Sequence, residues 1–220
     1  MCGYASRIGK IPKFFLPIDN ENSLLLNSVK IMLKSQFKIK IITTNDYCNI
    51  VKKYLENHLS LDGIDIIPFE SMTMSETILA AKQQSNSIYS LIMPDTYFNV
   101  NNPLGEMFHF YNNNNCDVVL GIFKIRSDQI GKLGQVKFDN NLNLVDVIDK
   151  DNTCEYLWAW GTILWNENFL PFINKISPHI GYGLIPALES GIRIKVYKFN
   201  VNYFDCGTVS EYKALLNHLS

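Results

Sequence analysis

The chain has 220 residues, of which 47% are hydrophobic and 19% are charged, and its 20 basic and 21 acidic side chains leave a formal charge of -1. These values are typical of a globular domain with ample apolar material for a core. A charge this close to zero argues against bulk binding to nucleic acid or to an anionic membrane, both of which need a surplus of basic residues. No apolar run approaches the ~18–20 residues that span a bilayer, so we expect neither a nucleic-acid nor a membrane partner.

The first half of the chain alternates helix and strand patterns. Apolar residues at helical spacing predict a helix over 24–37, and the β-branched run over 38–43 predicts the strand after it. Asp46 is expected to cap the next helix. The same signals predict strands over 64–69 and 88–93 and helices over 73–84 and 103–111. Repeated strand–helix–strand units indicate a doubly wound parallel sheet.

The second half is richer in strands. The polar turn Asp139–Asn141 marks a hairpin, and Gly191 ends a helix. Strands are predicted over 117–126, 133–138, 142–150, 158–165 and 193–199, and helices over 183–190 and 210–219. We therefore predict an α/β fold with a doubly wound, mostly parallel, Rossmann-like sheet and a mixed or antiparallel extension in the second half. No linker rich in Pro, Gly or Ser divides the chain, which predicts a single domain over 1–220.

The five cysteines and four histidines have no spacing typical of a metal site or of a disulfide framework. Free thiols in a reducing compartment are the simpler interpretation, and the opening residues lack the pattern of a secretory signal. We therefore expect a cytoplasmic location.

The segment from Gly3 to Lys13 is the first candidate site. Small residues at Gly3, Ala5 and Ser6 allow the backbone to approach a ligand, and their amides can surround an anion. Arg7 offers a planar fork for phosphate oxygens, and Lys13 offers a compact charge. As a pattern alone, the segment is equally well explained as a solvated basic tail.

Acidic residues near strand ends form the second group of candidates. Asp95 follows the strand over 88–93, where ligands bind in open α/β sheets and where Mg²⁺ finds carboxylates. Asp205 precedes Gly207 and Thr208 before the last helix, and Asp149, Lys150 and Asp151 end another strand. Taken singly, each of these is explained as well by a capped or charged turn.

Together and in this order, these segments resemble the sugar nucleotidyltransferases along essentially the whole chain. That family has a GGxGTRL…PK opening, a strand that ends in Asp, a YGV…EKP stretch, an aromatic strand that ends in Gly, and a DIGT motif before a helix. The corresponding segments here are Cys2–Ile8, Pro12–Ile18, Met93–Asp95, Leu133–Gln135, Asp149–Asp151, Trp160–Thr162 and Asp205–Thr208.

The resemblance implies a reaction and roles for these residues. The reaction is transfer of a nucleoside monophosphate from a nucleoside triphosphate to a sugar-1-phosphate, with release of pyrophosphate. The implied roles are nucleotide binding by Gly3, Ala5 and Ser6, catalysis by Arg7 and Lys13, Mg²⁺ binding by Asp95 and Asp205, and sugar-phosphate binding by Gly134, Asp149, Lys150 and Gly161. The nucleotide would then occupy the half over 1–115 and the sugar phosphate the half over 116–220, and the enzyme could act as a homo-oligomer.

Several departures from the family pattern matter. The family's glycine loop follows an apolar strand at the centre of the sheet, whereas only Met1 and Cys2 precede Gly3 here. We therefore expect a strand of ~5 residues to precede Met1 in the native chain. Ala5 stands where the family has Gly, and Asp149 is shorter than the family's Glu. The segment over 71–82 lacks the glycine that contacts the base in many members, so the sequence does not identify the base.

Two other interpretations stay open. One is a nucleotide-sugar-binding or regulatory protein that kept the fold and lost turnover, which the missing first strand favours. The other is a glycosyltransferase of similar architecture. The single carboxylate in Pro94–Tyr97 argues against this class, which uses an Asp-x-Asp metal motif.

Overall fold

The computed structural model describes residues 11–35, 37–81 and 87–220. The predicted roles of Gly3, Ala5, Ser6 and Arg7 lie outside this part of the chain. Within it, no helix has the length and apolar character needed to cross a membrane.

The helices and strands follow the predicted alternation. The α-helices are α1 (Leu24–Leu33), α2 (Asn45–Glu56), α3 (Met74–Ala80), α4 (Pro103–Asn113), α5 (Leu184–Glu189) and α6 (Val209–Leu219). The strands are β1 (Ile39–Thr43), β2 (Ile64–Pro68), β3 (Tyr89–Ile92), β4 (Thr96–Phe98), β5 (Val118–Lys124), β6 (Gly134–Phe138), β7 (Leu144–Asp149), β8 (Trp158–Trp165), β9 (Ile194–Phe199) and β10 (Tyr203–Asp205).

Side-chain caps explain where several helices begin. Ser23, Thr73, Asn102 and Thr208 each accept a hydrogen bond from the backbone amide three residues on, which satisfies one of the free donors of the first turn. The prediction that Asp46 caps α2 was wrong. Thr44 is the N-cap residue of α2. Asp46 lies in the first turn of the helix, where its carboxylate interacts favourably with the helix dipole.

The main sheet is built around β8. This eight-residue strand pairs antiparallel with β5 on one side and with β3 and β6 on the other. The order β7-β6-β8-β5-β9 continues through the β6–β7 hairpin and the parallel β5–β9 pair. Strands β1 and β2 form a separate parallel pair, and β4 and β10 a separate antiparallel pair. The α/β class is thus confirmed, and antiparallel ladders extend into the first half through β3 and β4.

Buried apolar residues fill both sides of this sheet. Val118, Leu120 and Ile122 of β5 face one cluster with α5, while Val119 and Phe123 face another cluster with α4. Because successive side chains of a strand point to opposite faces, the continuous apolar run of β5 indicates burial on both faces. A third cluster packs α1 and α2 against β1 and β2.

A cavity of about 350 Å³ lies between β1 and β3. It is lined on one side by Ile39–Ile42 and on the other by Tyr89–Ile92, with Leu25 and Leu104 among the apolar residues around it. Among the described residues, β1 and β3 form no ladder with each other. The expectation that a further strand belongs at the centre of the sheet stays a prediction.

Candidate functional site

The pairing of β4 with β10 brings two acidic residues together. Asp205 is paired with Thr96, so it lies beside Asp95, the residue just before β4. The backbone amide of Cys206 donates to the carbonyl oxygen of Asp95 at 2.9 Å. Neither short strand was predicted from the sequence, although Tyr203 and Phe204 form an aromatic pair of the kind that is enriched in strands.

The segment that carries Asp205 is held from behind by a polar network. The carbonyl oxygen of Tyr203 accepts hydrogen bonds from Arg126 at 2.9 Å and from Gln129 at 2.8 Å. Both side chains also donate to a carboxylate oxygen of Glu211 in α6, at 2.7 and 2.6 Å. Because Gln129 and Glu211 are buried, this network fixes β10 against α6 and thereby limits the movement of Asp205.

The surroundings of the Asp205 carboxylate disfavour its charged form. Burial and the neighbouring Asp95 carboxylate raise its pKa to about 6, although a hydrogen bond from the Gly207 amide at 3.1 Å and the charges of Lys13 and Lys150 act in the opposite direction. One carboxylate and two ammonium groups, those of Asp95, Lys13 and Lys150, therefore lie within electrostatic reach of Asp205. Such an arrangement can bind a cation and the oxygens of a phosphate group.

Lys13 is placed by its neighbours in a short 3-10 helix, Lys13–Phe15. The buried ring of Phe14 anchors this turn in the cluster around β1 and α2, and the adjacent Lys13 remains half-buried. A Cβ added to Gly207 would lie 3.1 Å from the Asp205 carboxylate and 3.8 Å from the Lys13 ammonium. Lys13 therefore lies at the Asp205 side of the site, and its expected contact with phosphate oxygens stays a prediction.

Lys150 approaches the same site from β7. Its backbone has φ +52°, a left-handed conformation that costs energy for a residue with a side chain, and its amide donates to the Leu133 carbonyl at 3.2 Å. The strand register pairs Gly134 with Asp149 immediately before it. Gly134, Asp149 and Lys150 are thus neighbours at one end of the β6–β7 hairpin, and the Lys150 charge reaches Asp205.

Gly161 lies in the middle of β8 and is buried. A Cβ at this position would lie 2.4 Å from the Tyr203 ring and 3.0 Å from the Phe123 ring. The absence of a side chain therefore lets β8 pack closely against β10, two residues before Asp205. The sugar-phosphate contact expected of Gly161 stays a prediction.

Sequence reasoning did not single out His179. This residue lies beside Asp149 through a contact of 3.2 Å between His179 Nε2 and Asp149 Oδ2. The two are thirty positions apart along the chain. The sequence carries no signal for this pair, because only the packing of the loop before α5 against β7 brings it together.

No family model matches the chain, and no curated protein matches it in sequence. Solved structures do match its fold. A UDP-glucose pyrophosphorylase in complex with UDP-glucose superimposes with a TM-score of 0.79 at 18% identity, covering 98% of this chain and 94% of the other. A protein from Bacillus anthracis assigned as a glucose-1-phosphate thymidylyltransferase gives 0.82 at 15% identity, with 99% and 92% covered.

A third match is the inositol-1-phosphate CTP transferase from T. maritima, with a TM-score of 0.74 and 15% identity over 99% of this chain and 92% of that one. All three are sugar nucleotidyltransferases, and each is matched along nearly its whole length. The chain therefore has the fold of the sugar nucleotidyltransferases, as its motifs indicate.

Proposed function

We propose that the protein transfers a nucleoside monophosphate from a nucleoside triphosphate to a sugar-1-phosphate, or to a closely related alcohol phosphate, and releases pyrophosphate. The convergence of Asp95, Asp205, Lys13 and Lys150 carries this proposal, since these groups lie in a fold shared with enzymes of that class. In this assignment residues up to 115 hold the nucleotide, and residues from 116 onwards hold the acceptor.

The carboxylates of Asp95 and Asp205 are suitable ligands for Mg²⁺. Within the described ranges no three His, Cys, Asp or Glu side chains form a closed metal site. Mg²⁺ does not need one, because it takes one or two carboxylates and completes its shell with water and substrate phosphates. Asp95 and Asp205 would hold the ion, which supplies neutralisation of charge on the triphosphate.

Side chains and backbone groups of the protein would position the nucleotide and the acceptor. Lys13 would contact phosphate oxygens of the nucleotide, together with Arg7 and the backbone at Gly3, Ala5 and Ser6. Lys150 would hold the phosphate of the acceptor so that one of its oxygens lies in line with the α-phosphate, while Gly134, Asp149 and Gly161 would contact the sugar. Transfer between phosphates requires alignment of the two substrates and stabilisation of charge, rather than covalent catalysis by the protein.

The decisive experiment is a screen for pyrophosphate release. Each common nucleoside triphosphate is paired with a panel of sugar-1-phosphates and inositol 1-phosphate, with Mg²⁺ present. We expect release with at least one pair and its loss in Asp205→Asn, whereas Asp62→Asn in an exposed turn should behave as the wild type. Absence of release with every pair, or full release by Asp205→Asn, would refute the assignment.

The alternative of a binding or regulatory protein without turnover is not favoured by the structural neighbours, which are named as enzymes. We also place the protein in the cytoplasm. Free thiols at Cys48, Cys116, Cys154 and Cys206 support a reducing compartment.

A further inference from the structure

In the contact between His179 and Asp149, the donor and the acceptor of the hydrogen bond can be assigned. His179 Nδ1 lies 3.2 Å from the backbone nitrogen of Gly181, whose N–H can only donate. Nδ1 must therefore be the acceptor, and the proton of the neutral ring sits on Nε2. From there it is donated to Asp149 Oδ2 at 3.2 Å.

Packing fixes the ring in this orientation. The His179 ring lies 4.7 Å from the Tyr182 ring and 6.1 Å from the Trp160 ring, measured between centroids. A Cβ on Gly181 would approach both Trp160 and His179 Nδ1 to 2.8 Å. Gly181 therefore leaves room for the imidazole between its neighbours, and the side chain is only 18% exposed.

One oxygen of Asp149 is occupied by this contact, and the other is not. No hydrogen bond joins Oδ1 to another residue in the part of the chain that the structure describes. The carboxylate is 25% exposed, so water or a ligand can reach it. The next residue is Lys150, whose charge reaches Asp205, so the pair borders the candidate active site.

We propose that His179 is a positioning residue: it holds Asp149 Oδ2 so that Oδ1 accepts a hydrogen bond from a hydroxyl of the phosphorylated acceptor. This inference rests on the proposed function, in which Asp149 contacts the sugar of the acceptor. A carboxylate that is already oriented loses less rotational freedom on binding, which favours acceptor affinity.

Two substitutions separate positioning from local folding. His179→Asn keeps a polar atom near Nδ1, which can accept from the Gly181 amide, but it no longer reaches Asp149. His179→Gln places its amide near Nε2 and can still donate to Asp149, but it loses the acceptor for Gly181. The Asn variant thus keeps the contact with Gly181 and loses the one with Asp149, and the Gln variant does the reverse.

We expect His179→Asn to raise the KM for the acceptor about tenfold, as loss of one hydrogen bond to a charged group does, with the KM for the nucleotide unchanged. His179→Gln should restore most of the acceptor affinity. If His179 only supports the fold, the Gln variant will be as impaired as the Asn variant, and both KM values will move together. That result would overturn the inference.

A second readout does not depend on turnover. Nitrogen NMR of labelled histidine should show the proton of His179 on Nε2 at neutral pH, and addition of α-D-glucose 1-phosphate or inositol 1-phosphate should shift these resonances. A proton on Nδ1, or no response to either phosphate, would overturn the inference. If the resonances shift while no nucleotide pair releases pyrophosphate, the proposed function fails and the positioning of Asp149 stands.

Discussion

Burial and the Asp95 carboxylate raise the pKa of Asp205 from its ordinary value of 3.8 to about 6. Between these two values the folded protein binds more protons at Asp205 than the unfolded chain does. The free energy of unfolding therefore falls as the pH rises through this window, and stays lower above it. The carboxylate to which we assign metal binding thus destabilises the fold at neutral pH.

We accordingly predict that Asp205→Asn raises the free energy of unfolding at pH 7 by about 1–3 kcal/mol, because it removes a partly buried charge. The same variant should flatten the dependence of stability on pH between about 3.8 and about 6. Urea unfolding across this pH range measures both effects. Asp62→Asn, which changes an exposed carboxylate, is the control, and a less stable Asp205→Asn protein would contradict the prediction.

Magnesium should act on the same carboxylates. We predict that Mg²⁺ raises the melting temperature of the wild type in the absence of substrates, since a cation relieves the repulsion between Asp95 and Asp205 and binds only the folded state. The increase should disappear in Asp205→Asn. Thermal unfolding with and without Mg²⁺ measures it, and an equal increase in both proteins would place the ion elsewhere.

Lys150 combines a strained backbone with an expected phosphate contact. We predict that Lys150→Gly stabilises the protein by about 0.5–1 kcal/mol, because glycine adopts φ +52° without steric cost. The same substitution should weaken acceptor binding, since it removes the ammonium group. Lys150→Arg keeps the charge and should retain more acceptor affinity than Lys150→Gly. Equal acceptor affinities in the two variants would show that Lys150 does not bind the acceptor.

At the scale of elements, the close approach of β8 and β10 depends on Gly161. A Cβ there would lie 2.4 Å from the Tyr203 ring. We predict that Gly161→Ala costs about 1–3 kcal/mol through overpacking and lowers activity, because β10 carries Asp205. Combination with Tyr203→Leu, which makes room, should be less destabilising than the sum of the two single changes. Strict additivity in urea unfolding would show that the two residues do not compete for this space.

At the scale of the whole molecule, a cavity lies between the β1–β2 pair and the main sheet. It separates β1 from β3 and is bordered by the side chains of both strands. We predict that an apolar five-residue strand joined ahead of Met1 fills this space and raises the melting temperature, because it buries apolar surface and pairs backbone groups. A polar extension of equal length is the control. Equal melting temperatures for the two fusions would contradict the prediction.

Local patterns were sufficient to predict most of the elements. The range 158–165 predicted for β8 matches the observed strand, and α1, β1 and β9 begin within one residue of the predicted positions. The two strands that were missed, β4 and β10, have three residues each. A segment this short has no measurable periodicity, and it becomes a strand because another short segment pairs with it.

The sequence by itself determined the α/β class, the order of the elements and the candidate residues Asp95, Asp205, Lys13 and Lys150. These follow from local spacing and from residue types, which a linear chain displays directly. Only the tertiary structure decided that the two aspartates share an environment, that Lys150 adopts a left-handed backbone, and that His179 contacts Asp149. Each of these depends on contacts between residues far apart in the chain, and such contacts are set by packing rather than by local preference.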